Sequence, residues 1–199
     1  MGQEKNQKLR QQRAQQKRRK QFMIGGAAVL ATVVLAAGVW LLLPGSPDNW
    51  DALVEEGRPI MNEQLERPEH QGERHVASGT RVAYDTDFPT SGPHWPSPTR
   101  PGFYTQPQPN EALVHAIEHG NIVVYYDQLS EEDLATLQGW TSFYTSNWAA
   151  VTAVPHSGLD ERVVMTAWGH RLRLDGFDPA PMAAFIEAYR GRGPENPVR

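Results

Sequence analysis

The hydrophobic and polar positions divide the chain into three unlike stretches. Residues 1–22 interleave Gln with Lys and Arg and show no apolar period, which predicts a solvated basic tail. Met23–Leu43 then runs 21 residues without a charge and stops at Pro44-Gly45. At about 1.5 Å per residue such a helix is about 31 Å long, against a hydrocarbon core of about 30 Å. A cleaved signal peptide would carry a shorter apolar core of about 7–15 residues and a small-x-small cleavage site. The length of the run, and its exit through Trp40-Leu41-Leu42-Leu43 into Pro44, predict an uncleaved transmembrane helix over 23–43.

From residue 44 the elements are short. Residues 44–67 read as a linker, Pro44-Gly-Ser-Pro-Asp-Asn-Trp50, and a short helix from Asp48 to near Gln64, interrupted at Gly57 and Pro59. Thr80–Tyr84 has the content of a short strand. Residues 85–110 hold seven prolines, too many for regular structure, yet Phe88, Trp95, Phe103 and Tyr104 give this loop something to pack with. A long loop with its own aromatics is more often functional than a linker.

A helix is predicted from Asn110, a capping residue, to Gly120, a residue favoured just past a helix end. Asn121–Tyr126 reads as a buried strand. Ser130-Glu-Glu-Asp133 has the shape of a capping box and opens a second helix reaching about Tyr144. Trp148–Val154, Arg162–Trp168 and His170–Leu174 are further strand candidates, and Asp178-Pro179 caps a last helix to about Tyr189, closed by Gly191. Residues 192–199 read as a tail. This mixed order, with no repeated βαβ period, predicts a small α+β domain over 68–191, with one mixed sheet, about three helices and the Pro-rich loop.

Charge sharpens the division. Residues 1–20 carry eight Lys or Arg and one acid, Glu4, so the amino terminus is expected in the cytoplasm and residues 44–199 outside. The outer part holds 11 Arg against 22 Asp and Glu, a formal 11 − 22 = −11, and no lysine. An acidic, lysine-free domain lacks the basic footprint of nucleic-acid binding. The bilayer, through residues 23–43, is the expected partner, with a membrane protein as a second. There is no cysteine, so disulfides and thiolate metal sites are excluded.

The candidate chemistry lies in His115-Ala-Ile-Glu118-His119-Gly120. At 100° per residue, Leu113, Val114 and Ile117 share one arc of the helix, and His115, Glu118 and His119 share the opposite one. With the apolar arc on the sheet, the polar arc meets whatever covers it. The Pro-rich loop with Ser91-Gly92-Pro93-His94-Trp95 would bring His94 as a third imidazole, and Gly72-Glu-Arg-His75-Val could supply a fourth. Such a set suits zinc or copper, and a nearby Met165 would favour copper, thioether being a soft ligand. Met165 reads equally as core. Glu118 beside ligating histidines reads as an orienter. His70, His156 and His170 have no motif around them and read as surface residues; Trp140, Trp148 and Trp168 read as packing, with Ala167-Trp168-Gly169 a candidate wall of the site.

Three other readings compete. The histidines could simply face solvent, or form a neutral hydrogen-bond network that orders the loop of a non-enzymatic interaction or assembly module. Alternatively, His115-x-x-Glu118-His119 matches the inverted zinc-hydrolase pattern, with Glu118 as general base and Glu187 as a late carboxylate ligand. The helix stop at Gly120, the small domain and the lack of a second metal-binding helix count against an enzyme.

Gly72-x-x-His75-Val, Tyr84, Pro89-Thr90-Ser91-Gly92-Pro93-His94, Gly102-x-Tyr104, Leu113-Val114-His115-x-x-Glu118-His119-Gly120 and Thr166-Ala167-Trp168-Gly169 occur in that order. Together they resemble the bacterial domain-of-unknown-function family numbered 3105, over roughly residues 68–191. The stretch Trp95-Pro-Ser-Pro-Thr-Arg-Pro101 is more Pro-rich than that pattern. The resemblance implies a membrane-anchored bacterial protein and places His75, His94, His115 and His119 in motif segments. It implies no activity. With the helix-face geometry, it makes a copper or zinc ion at His94, His115, His119 and His75 the leading expectation.

Overall fold

The computed structural model describes residues 49–159 and 162–196. The expected basic tail and the span at 23–43 lie outside the described residues; among those described, no helix is long and apolar enough to cross a membrane. Four helices and one five-stranded mixed sheet are described: α1 (Trp50–Gln64), β1 (Leu65–Glu66), α2 (Asn110–Glu118), β2 (Ile122–Tyr126), α3 (Glu131–Phe143), β3 (Val151–Pro155), β4 (Val163–Ala167), β5 (His170–Leu174) and α4 (Pro179–Tyr189). The strand order is β1-β5-β4-β2-β3, with β2 and β3 parallel and the other pairs antiparallel. The α+β class, the mixed sheet and the four helices, one of them in the 44–67 stretch, are as the sequence predicts; the two-residue edge strand β1 is an addition.

Each face of the sheet has its own core. Ile122, Val124, Val163, Met165 and Leu172 point to one side, where they meet Leu137 and Trp140 of α3 and Met182, Phe185 and Ile186 of α4. Val123, Tyr125, Val154 and Val164 point to the other side, against Leu113 and Ile117 of α2 and Phe88 of the Pro-rich loop. A central strand covered on both faces loses polar alternation, and all five residues of β2 are buried. Met165 therefore lies in the core of the face opposite α2 and is removed from the histidines.

Three local expectations are corrected. Helix α1 is continuous through Gly57 and Pro59. Gly57 marks a close approach, because a Cβ there would stand 1.9 Å from the carbonyl oxygen of Ala180 in α4. Thr80–Tyr84 forms no strand; two of its backbone groups are bonded to side chains instead, Val82 N–H donating to Glu111 Oε1 at 2.9 Å and Thr80 O accepting from Trp95 Nε1–H at 2.8 Å. Asn110 is the first helical residue, not the cap; Pro109 precedes it in extended geometry and Asn110 Nδ2 donates to Asp87 O at 3.1 Å. Ser130 and Asp178 do cap their helices, accepting from Asp133 N and Ala180 N.

Candidate metal centre

Helix α2 is buried all round because two different layers enclose it. Leu113 and Ile117 pack on the sheet. The Pro-rich loop closes the other side by backbone bonds: Trp95 N–H donates to Glu111 O at 3.2 Å and Thr99 N–H to Ala112 O at 3.0 Å. Residues 72–76 run alongside this loop, with Gly92 N–H donating to Gly72 O, His94 N–H to Arg74 O and Val76 N–H to His94 O. That pairing sets His75 directly beside His94. The polar arc of α2 thus meets two imidazoles from chain segments far away in sequence.

His75, His94, His115 and Glu118 each bring a ligand atom to within 4.8 Å of all the others. Two of these imidazoles are fixed in one tautomer. His94 Nδ1 lies 2.8 Å from Gly92 O and His115 Nδ1 lies 2.6 Å from Trp95 O. A carbonyl only accepts, so Nδ1 carries the proton in both rings and each Nε2 presents a lone pair. Fixing the outer nitrogen on a carbonyl is how proteins orient metal-ligating histidines.

His94 Nε2 stands 2.9 Å from Glu118 Oε2, with side chains 0 % and 3 % exposed. Neither atom has a hydrogen-bond partner. Two acceptors at this separation repel unless a proton or a cation lies between them, and leaving them bare costs roughly 1–3 kcal/mol per group. Donors bound at about 2.0–2.1 Å to one ion stand about 2.9–3.4 Å apart in octahedral or tetrahedral geometry, so the spacing is that of two adjacent ligands.

A second set, His115, His119 and Glu195, also converges within 4.8 Å. His115 Nε2 and His119 Nε2 are 3.0 Å apart, and Glu195 Oε2 lies 3.5 Å from His119 and 3.9 Å from His115. The His119 ring stacks on Trp148 with centroids 4.1 Å apart. Glu195 belongs to a segment that crosses the end of α2. A Cβ on Gly193 would fall 2.0 Å from Glu118 O, and Gly191 N–H donates to Gly120 O at 2.8 Å. Gly120 itself has φ +105°, the left-handed turn that ends the helix. Residues 192–196, placed in the tail by sequence, pack against the site.

Electrostatics follow from burial. Desolvation, reinforced by Glu195 and Glu73, pushes the Glu118 carboxyl up to about 7. Desolvation holds His94, His115 and His119 below the usual imidazole value, although the carbonyls of Gly92, Trp95 and Asn147 work against it. The three imidazoles are therefore neutral near pH 7, the form that binds metal.

The profile of a family described as protein of unknown function (DUF3105) matches residues 75–199. The chain belongs to DUF3105. The match begins at His75 and takes in His94, His115, Glu118, His119 and Glu195, and the span at 23–43 lies outside it. No curated protein and no solved structure matches the chain.

Within the DUF3105 domain the four histidines named from sequence come together, divided between two overlapping sets. His119 sits with Glu195, and Glu118 belongs to the donor set with His94 instead of facing the His115–His119 pair as a hydrolytic base would. Glu187 is exposed and accepts from Trp50 Nε1 at 3.4 Å, on the other side of the sheet. His70 is exposed, whereas His156 and His170 are half-buried and packed on Phe88 and Tyr189. Neither the place of Glu195 in the site nor the stacking of Trp148 on His119 follows from the sequence pattern. The only local signal for Glu195 was Gly191-x-Gly193-Pro194, a stretch suited to close backbone passage but silent on what it passes.

Proposed function

We propose that the outer domain of this chain binds one transition-metal ion, copper or zinc, through His75, His94, His115 and Glu118. The observation that carries the reading is the buried pair His94 Nε2 and Glu118 Oε2, 2.9 Å apart, which needs a proton or a cation between its two atoms, with the His94 proton already committed to Gly92 O. Three imidazoles and one carboxylate, with no thiolate, form a borderline donor set suited to Zn²⁺ or Cu²⁺ and poor for Ca²⁺ or Mg²⁺. In the same reading residues 23–43 anchor the chain in a bacterial membrane with this domain outside. Elemental analysis of the full chain, purified without a histidine-rich tag, is expected to give close to one zinc or copper per chain; a metal-free protein that also takes up none on titration excludes the reading.

A second reading has its own observation. His115 Nδ1–H on Trp95 O ties the Pro-rich loop to α2, as an interaction module ordered by histidines would require. It predicts that His115→Ala loosens the loop, seen as faster amide exchange at residues 92–99, to the same extent with and without metal.

The pH dependence separates metal binding from simple ordering. Glu118 has its folded pKa raised to about 7, so below that pH an entering ion must displace its proton. Affinity is expected to fall by about tenfold per pH unit below 7 and to level off above it. The histidines, shifted downward, add their competition only at lower pH. The sign for stability is the reverse: a raised acid stabilises the metal-free fold fully below its unfolded value of 4.5 and loses that contribution as pH rises through about 7. Metal should therefore raise Tm more at pH 8 than at pH 6. An increment independent of pH would remove Glu118 from the donor set.

A further inference from the structure

We infer that His119 and Glu195 form an outer landing position from which the ion is handed through His115 into the buried set. This rests on the metal-binding reading above and adds a route to it. The two sets share His115 and only His115. Its Nδ1 is occupied by Trp95 O at 2.6 Å, which leaves Nε2 as its one free lone pair. A single lone pair serves one ion at a time, so the two sets are successive positions of one ion and not a two-metal site. Side-chain exposure falls along the path, from 43 % at Glu195 to 15 % at His119, 6 % at His115 and 0 % at His94. The 3.0 Å between His115 Nε2 and His119 Nε2 lets one ion touch both during the exchange.

The outer position is built into the fold. Glu195 is held over α2 by its own N–H on Glu118 O at 3.3 Å. Next to it, Asn196 Nδ2 donates to Trp148 O at 2.8 Å and Gly191 O at 2.7 Å. The passage needs glycine, since Gly193 and Gly120 leave no room for a Cβ between the crossing backbones. Ligand exchange here breaks a metal–carboxylate and a metal–His119 bond as bonds to His94 and Glu118 form, with the Glu118 proton leaving to solvent.

Two tryptophans report the two positions: Trp148 stacks on His119, and Trp168 lies 6.3 Å from His94. Cu²⁺ mixed with the full chain in a stopped-flow fluorimeter is expected to quench in two phases. The first scales with Cu²⁺ concentration and disappears in Trp148→Phe; the second is independent of concentration. Glu195→Gln is expected to slow association about tenfold or more through lost carboxylate attraction, and to slow release in parallel, so that equilibrium affinity holds. An unchanged association rate in Glu195→Gln overturns the inference and leaves the metal reading intact, with the ion reaching the site past exposed His75. So does an affinity loss as large as that of His94→Ala, which would make Glu195 an ordinary ligand. Uptake of two Cu²⁺ per chain at these residues also overturns it. Wild-type protein that binds no Cu²⁺ or Zn²⁺ sinks the metal-binding reading and this inference together.

Discussion

His94→Ala is expected to weaken zinc or copper binding by well over the roughly 10–100-fold that follows loss of a group supporting a ligand. Its side chain is fully buried, so no water-filled side of the ring can substitute for the lost donor. Glu118 cannot make up the loss: it stays in the desolvated pocket that pushes its pKa to about 7, so near neutral pH a proton still competes with the ion for its oxygen. A competition titration against a chromophoric chelator measures the change, with His170→Ala as the reference. His170 is half-buried against Tyr189 and belongs to neither donor set, so its loss should alter stability without altering affinity. Equal affinities in the two variants would contradict the assignment of His94.

Gly57→Ala should be the most costly single-methyl addition in the described fold. The new Cβ would meet Ala180 O at 1.9 Å, Ala180 C at 2.0 Å and Pro181 N at 2.4 Å, all backbone atoms at the start of α4. Nothing there can swing aside, so α1 must lift from α4. Overpacking of this kind costs about 1–3 kcal/mol and occasionally more, and the gain in helix propensity of about 1 kcal/mol returns only part of it. Denaturant unfolding of the metal-free chain should show a lower midpoint with an unchanged slope. Helices α1 and α4 cover the face of the sheet opposite α2, so the folded variant should keep wild-type metal affinity. An unchanged midpoint would show that the two helices are not in backbone contact.

Gly57 also shows where sequence reading fails. A glycine and a proline two residues apart look like a helix break, yet α1 runs through both. The buried stripe Val54, Gly57, Met61 reveals the other meaning of glycine, a contact surface, which only the partner helix can disclose. Elements governed by local chemistry were legible: Ser130 and Asp178 cap their helices, Gly120 ends α2, and β2 follows from its run of Val and Tyr. Thr80–Tyr84 has the content of a strand, but its conformation depends on Glu111 accepting from its backbone and Trp95 donating to it, from 15 to 29 residues away.

The site divides the same way. His115, Glu118 and His119 share a helix arc that periodicity exposes, and the ordered motifs singled out His75 and His94. Their convergence depends on residues 72–76 pairing with the loop at 92–94, a long-range event without a local signature. Glu195 was invisible because its role comes from where the chain passes after α4. The assignment of Glu118 as a donor, rather than an orienter, rests on a distance to His94 that no spacing predicts.

X-ray absorption at the metal edge, on the full chain loaded with one equivalent of Zn²⁺ or Cu²⁺, tests the central claim most directly. Ligation by His75, His94, His115 and Glu118 predicts nitrogen and oxygen donors at about 2.0–2.1 Å and outer-shell scattering from three imidazoles. An ion surrounded mainly by water oxygens, or a spectrum unchanged by His94→Ala, would contradict it.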